Sequence, residues 1–493
     1  MALTRQGLSP IRTDLWKTPP SPFRGRRLVR RWRRRLAPDP RTLPKKGPAR
    51  FATRLRRVLW AWWPWAMIAV AALVEDRWAL AAGTGTWAAI AFLAVPWERP
   101  PQFGLDHEFS IEDPEFLTTM AGATGVAPLA GNRIDILNNG DQFYPAMLAA
   151  IRDAQHSVTI EAYIYWAGEV GLAFADVLSA TARRGVCVKL LLDSVGSASI
   201  GEEILKRLEQ GGCQLAWYNP LRWYSIGRLN HRTHRKSLII DGRIGFTGGA
   251  GIADHWRGHA QDANHWRDTQ LRIEGPAVQP LQTGFAHNWL QTTGELISGD
   301  LFYPPIPAAG MLAAQTIMSA PEVGASTVRT MYYLSIVCAR RKIYIANPYF
   351  VPDEVAVAAL LDARQRGVDV RIMMAGTHND TWLARRNSLR LCGQLLRGGI
   401  TVLEYNRTML HQKTMVVDGV WATIGTTNFD NRSFSHNDEN NVCVLDRGWA
   451  GALERGFLDD AQVCDPVTLE QWLRRGLVER AGEALAWFLE DQA

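Results

Sequence analysis

Two stretches of this chain, "THRKSLIIDG" (233–242) and "LHQKTMVVDG" (410–419), set the same three residue types at the same spacing: His234, Lys236, Asp241 and His411, Lys413, Asp418. The chain has eight lysines against 47 arginines, so a lysine two residues after a histidine is a selective choice, made twice. In an extended strand residues i and i+2 share a face, which stands each imidazole beside an ammonium. That pair suits attack on a phosphorus centre. The lysine stabilises charge on non-bridging oxygens and the histidine serves as nucleophile or proton donor. The intervening "SLII" and "TMVV" read as sheet core. Asp241 and Asp418 precede glycine in turn sequences, so their role is partly structural. One such motif is a weak signal; two at corresponding places of a repeat are not chance.

The elements that must hold these residues repeat as well. Strand-like "SVTIEAYIYW" leads to the helical "LAFADVLSATARRG", to the strand "VCVKLLLD" and then to the first motif. "RKIYIANPYF" leads to "EVAVAALLDARQRG", to "VDVRIMMA" and to the second. Matched blocks in matched order predict a duplicated domain, and apolar strands alternating with helices predict a sheet covered on both faces.

The 493 residues suffice for two or three domains, and 47% apolar content for their cores. The net charge of +7 is uneven. Residues 1–57 carry +16 and the remainder −9, which argues against a protein that wraps nucleic acid along its length. Six scattered cysteines without a C-x-x-C suit reduced thiols rather than a disulfide framework or zinc site. The Arg- and Pro-rich arm over 1–57 is predicted to be disordered. Two uncharged runs follow, 58–74 and 78–97, separated by Glu75, Asp76 and Arg77, with tryptophans near their ends. They predict a two-helix membrane hairpin, which with the basic arm on the cytoplasmic side returns the catalytic part to that side of the cell membrane. A linker over 98–129 and a C-terminal amphipathic helix over 465–493 complete the expected organisation.

The second motif runs on as "HQKTMVVDGVWATIGTTNFDNRSFSHNDEN", and "NPYFVPD" (347–353), "WRDTQLRIEGPAV" (266–278) and "GNRIDILNNGDQFYPAMLAAIRDAQHSVTIEAYIY" (131–165) accompany it. With these blocks the chain resembles the phospholipase D superfamily, and within it the bacterial cardiolipin synthase branch, over nearly all of residues 130–445. The resemblance implies an α/β fold: a duplicated phospholipase D-type sandwich, with repeats over 130–300 and 301–464 sharing one site. It implies transfer of a phosphatidyl group between phospholipids through a phosphohistidine, with phosphatidic acid the product if water were the acceptor. His234 is nucleophile and His411 acid/base by family habit alone. Glu439 in the second half and Asp268 in the first are the carboxylates expected behind the rings. Thr426, Asn428 and Gly249 join them as substrate-binding positions. No cofactor or metal is expected. Anionic phospholipids are the expected partners, with no nucleic acid and no identifiable protein partner.

One departure stands out. After the first motif the family has Asn where this chain, in "TGGAGIAD", has Gly251. The exchange removes a phosphate-facing amide or opens room for a bulkier substrate. A nuclease of the same superfamily is disfavoured by the acidic body, and a non-catalytic scaffold would have no use for two His-Lys pairs.

Overall fold

The computed structural model describes residues 62–94, 105, 107–220, 231–320 and 327–476, with 479, 480, 482, 483 and 486. The basic arm over 1–57 and the outer ends of the expected hairpin lie outside the described residues.

Two helices open the described chain, α1 (Trp62–Val74) and α2 (Trp78–Ala94), reversing at Asp76 in a left-handed conformation (φ 57°). Small residues meet between them: Ala69, Ala72, Ala81, Thr84 and Ala88 are buried, and Gly85 faces Ala69. Met67, Val70, Leu73, Val74, Trp78 and Leu80 point outward and are exposed. The expectation of membrane-spanning helices is not met. Among the described residues no helix is long and apolar enough to cross a membrane. At about 1.5 Å per residue, 13 and 17 residues reach roughly 20 and 26 Å, short of a hydrocarbon core of about 30 Å.

The expected linker does more than connect. It contains α3 (Pro114–Thr124), and its Ile111, Phe116 and Met120 enter the core of the chain's second half beside Val328, Trp421 and Phe429.

The first half then supplies β1 (Leu129–Asn138), β2 (Ser157–Ala162), β3 (Cys187–Asp193), β4 (Gln214–Tyr218), β5 (Arg232–Thr233), β6 (Ser237–Ile240), β7 (Ile244–Gly248) and β8 (Thr269–Glu274). The second supplies β9 (Leu312–Ser319), β10 (Lys342–Ala346), β11 (Asp369–Ala375), β12 (Thr401–Tyr405), β13 (Thr414–Val417), β14 (Trp421–Gly425), β15 (Asn437–Leu445) and β16 (Cys464–Pro466). Spatial order in the first half is β1-β8-β7-β6-β2-β3-β4, and in the second β9-β15-β14-β13-β10-β11-β12-β16. Apart from β16 the two orders are the same, and antiparallel β1 and β9 join them into one sheet. In each half the helix between its second and third strands, Glu169–Arg183 or Glu354–Gln365, makes a parallel crossover, as β-strands joined through a helix must. A shared apolar layer lies at the seam, where Ile239, Leu271 and Ile273 of the first half meet Val416, Ile424 and Val442 of the second. The structure is therefore mixed α/β.

The end of the chain departs from the expected helix over 465–493. Residues 464–466 pair with β12 as a strand, Leu469–Leu473 follow as a short helix, and the described residues 479, 480, 482, 483 and 486 are again helical. Trp472 is committed to packing: a Cβ on Gly393 would collide with it, and its indole N–H donates to the Leu389 carbonyl at 2.8 Å.

Candidate active site

Each catalytic-type histidine enters its strand only after its backbone has paired with the other half. Arg232 and Thr233 run parallel to Asn437 and Asp438, and the His234 N–H donates to the Asp438 carbonyl at 2.9 Å. Likewise Arg267 bridges Leu410 in parallel, and the His411 N–H donates to the Arg267 carbonyl at 2.8 Å. The residue after each of those carbonyls is a carboxylate. The side chains therefore cross: His234 Nδ1 lies 2.9 and 3.0 Å from the Glu439 oxygens, and His411 Nδ1 lies 2.8 Å from Asp268 Oδ2. Glu439 and Asp268 thus each serve the histidine of the opposite half. A carboxylate accepting from Nδ1–H fixes the tautomer that turns Nε2 away from it.

The lysines fold back beside their histidines. Lys236 Nζ donates to the His234 carbonyl at 3.0 Å and stands over the Tyr163 ring. Lys413 Nζ donates to the His411 carbonyl at 2.7 Å and lies 3.2 and 3.3 Å from that ring's nitrogens. Burial, opposed in part by Glu439 and Asp268, pushes Lys236 down to about 7 and Lys413 to about 8, and in Lys236 the charge of Lys413 adds to the fall. Burial pushes Glu439 up to about 7, against the pull of Lys236 and the Thr426 hydroxyl.

Burial alone would raise Asp268 too. The His411 imidazole, Lys413 and the Thr269 N–H outweigh it and hold this carboxyl below its ordinary range. Burial and the two lysine charges hold His234 well below an ordinary imidazole. His411 is also lowered by burial and Lys413, but its Asp268 partner opposes the fall. The site is thus near twofold in shape and unequal in charge.

The remaining expected positions divide. Asp241 and Asp418 sit beyond their strands, on the order of 20 Å along the chain from the histidines. Both take left-handed turn conformations (φ 51° and 55°). Asp241 accepts from the N–H groups of Gln155, His156 and Ser157, and Asp418 from those of Arg340, Arg341 and Lys342. They fasten each motif to the strand beside it, so the structure brings neither to the histidine–carboxylate pairs among which the sequence had set them. Gly249 makes room for a carboxylate: a Cβ there would stand 2.2 Å from Asp268 Oδ1. The Thr426 hydroxyl donates to Glu439 Oε2 at 2.5 Å, orienting the carboxylate. Asn428 is buried with its Oδ1 unpartnered, as a substrate-facing amide would be. Gly251 opens no room, since a Cβ there would meet the Ile164 Cβ at 2.9 Å.

Trp256 and Tyr163 escaped the sequence, whereas Asn437 stands in the block that carries the resemblance. Fully buried Trp256 donates its indole N–H to Asp268 Oδ2 at 2.8 Å and sets its ring edge-on to His411 at 5.3 Å. Tyr163 stands edge-on to His234 at 5.1 Å. Asn437, two residues before Glu439, donates to that carboxylate at 3.4 Å while its Oδ1 stays buried and unpartnered. The i, i+2 relation of Asn437 to Glu439 was a legible signal; nothing in the "DHWRG" context marked Trp256.

Comparison with known proteins fits this geometry. Residues 147–289 and 335–461 match the family model described as cardiolipin synthase, PLD-like domain. The chain is 34% identical over 357 residues to the probable cardiolipin synthase YwiE of Bacillus subtilis, covering 72% of this chain and 71% of that one. It is 34% identical over 377 residues to a cardiolipin synthase of Geobacillus kaustophilus, covering 76% and 75%. Among solved structures, the phosphatidylserine synthase of Haemophilus influenzae superposes with a TM-score of 0.58 at 14% identity, over 75% of this chain and 96% of that one, a likeness of fold.

Proposed function

We propose a lipid-to-lipid phosphatidyl transfer for this chain, which belongs to the cardiolipin synthase family with PLD-like domains. The observation that carries the reading is the crossed pair His234–Glu439 and His411–Asp268, closed around two buried lysines. The enzyme is a phosphatidyltransferase of the phospholipase D superfamily, and its reaction is phosphatidylglycerol plus phosphatidylglycerol to cardiolipin plus glycerol.

The charge inequality supports an assignment of roles. His234, held furthest toward the neutral form, is the nucleophile; His411, backed by a carboxylate held ionised, carries the proton. His234 Nε2 attacks the phosphorus of one phosphatidylglycerol. The phosphorus–oxygen bond to glycerol breaks, and the departing oxygen takes the proton from His411. The headgroup hydroxyl of a second phosphatidylglycerol then gives its proton to His411 and its oxygen bonds phosphorus. The phosphorus–nitrogen bond breaks and His234 is restored. Lys236, Lys413 and Asn428 face the non-bridging oxygens and stabilise their growing charge.

The α1–α2 hairpin supports membrane attachment of this enzyme. Small residues inside and large apolar residues outside is the arrangement of helices that pack within lipid, where close backbone approach replaces the hydrophobic effect. We read the hairpin as bedding in the membrane on the cytoplasmic side, where the arm over 1–57 would meet anionic headgroups.

The test is purified full-length protein in lipid–detergent micelles with labelled phosphatidylglycerol, beside His411→Ala. Cardiolipin and glycerol formed in equal amounts, and lost in the variant, is the expected result. Phosphatidic acid without cardiolipin would overturn the synthase reading.

A further inference from the structure

The position two residues before each orienting carboxylate is Asn437 in one half and Trp266 in the other. The two are equivalent by backbone pairing, because the residue between position and carboxylate, Asp438 or Arg267, receives the histidine N–H. An amide with a free oxygen therefore lies on the Glu439 side and an indole on the Asp268 side. Trp266 is half-buried, 5.4 Å from the His411 ring and tilted 33° to it. Trp256 meets it edge-on at 4.8 Å, and exposed His255 stacks on it at 5.2 Å and 13°. Trp166 closes the row edge-on to His255 at 5.7 Å. An aromatic wall thus runs from His411 to the surface, where the His234 ring has the edge-on Tyr163 as its near aromatic neighbour.

We propose that Trp266, with His255 stacked on it, walls the subsite for the acceptor alcohol and sets the balance between transfer to an alcohol and hydrolysis. This rests on the reading of His411 as the acid/base, because leaving and accepting oxygens both exchange their proton there. Once glycerol departs, the phosphohistidine faces a space that either water or a second polyol headgroup fills. An indole offers water no acceptor and only one donor, but offers the C–H faces of a glycerol unit a broad apolar partner. The headgroup hydroxyl is then held against His411 and water is displaced.

The experiment measures partition rather than rate. Full-length wild type, Trp266→Ala, Trp266→Phe and His255→Ala are each given labelled phosphatidylglycerol in micelles, with and without tritiated glycerol. Alcohol transfer is scored as cardiolipin plus tritiated phosphatidylglycerol, and hydrolysis as phosphatidic acid. Trp266→Ala is expected to lower the transfer-to-hydrolysis ratio about tenfold or more, the scale of a lost apolar contact in a specificity pocket. Trp266→Phe should hold the ratio close to wild type and His255→Ala should fall between. A Trp266→Ala enzyme that is merely slower, with an unchanged ratio, overturns the proposal. Should Trp266→Ala not fold, an unchanged ratio in His255→Ala, whose exposed ring is removable without opening the core, overturns it equally. Wild type that yields phosphatidic acid but no cardiolipin would refute the synthase reading; the wall would then stand or fall on the tritiated glycerol ratio.

Discussion

His234 and Glu439, 205 residues apart in sequence and in different halves of the chain, share a buried hydrogen bond of 2.9 Å. Neither half holds a complete centre, because each lends its carboxylate to the other's histidine. Glu439→Gln keeps the shape and removes the carboxylate that fixes the tautomer and balances the imidazolium. Cardiolipin formation should drop about 10²–10⁴-fold, by analogy with loss of the carboxylate from a His–Asp pair. Circular dichroism should be unchanged; a variant with near wild-type rate would remove Glu439 from the mechanism.

A covalent intermediate should accumulate when its breakdown is blocked. In His411→Ala with phosphatidylglycerol labelled in its phosphate, slow attack without a proton carrier for the acceptor should leave acid-labile label on His234. Label found on no residue in His411→Ala, or retained in His234→Ala, would reverse or remove the nucleophile assignment.

Below pH 7 the two buried lysines should oppose folding. The unfolded chain keeps the Lys236 proton up to its ordinary value of 10.5, whereas the folded protein keeps it only to about 7. The unfolded state therefore binds more protons between those values. Stability from this group rises with pH across that window, and its penalty is complete below pH 7. Lys236→Met should abolish turnover yet raise the urea midpoint, most at low pH, with the gain fading toward pH 10.5. The same ionisations should make kcat/KM fall as pH passes 7 to 8. On the acid side His234 itself should add no break, being held well below an ordinary histidine, but the rate should fall below pH 7 as Glu439, raised to about 7, takes up its proton.

Asp241 and Asp418 should behave as fasteners. Each carboxylate collects three backbone N–H groups, largely exposed at Asp241 and part-buried at Asp418, so removing it should cost about 0.5–1.5 kcal/mol per net hydrogen bond lost, more at Asp418. Asp241→Ala and Asp418→Ala should lower Tm while the folded fraction turns over close to wild type. A loss of rate as deep as that of Lys413→Ala, without a loss of Tm, would restore them to the catalytic group.

Paired charges on the outer face of the hairpin should release the enzyme from lipid. Met67→Lys with Val70→Lys replaces two exposed apolar side chains without touching the small-residue interface at Ala69 and Ala72. Co-sedimentation with anionic vesicles should fall sharply, and activity in detergent should persist. Unchanged sedimentation would place the membrane contact elsewhere.

Much of this protein was legible in its sequence because the signals are local. Short, near-continuous apolar runs such as "VCVKLLLD" and "VDVRIMMA" became β3 and β11, and the parallel order of blocks became two strand orders that coincide apart from β16. Each lysine does lie beside its histidine as an i, i+2 spacing suggests, although both pairs stand just ahead of their strands, β6 and β13. The strand over 464–466 was not legible, because three residues carry no period to read.

Only the tertiary structure decided which carboxylate serves which histidine. The sequence offered one carboxylate in each half, Asp268 and Glu439, without saying which histidine either would serve. Parallel pairing of Arg232–Thr233 with Asn437–Asp438, and of Leu410 with Arg267, crossed them. It also made Gly249 a seat for Asp268, filled the space beside Gly251 with Ile164, and set Trp266 and Asn437 at equivalent places. Strand periodicity tells a side chain which face to take; which residues lie opposite on that face is set by long-range pairing, and no short window of sequence contains it.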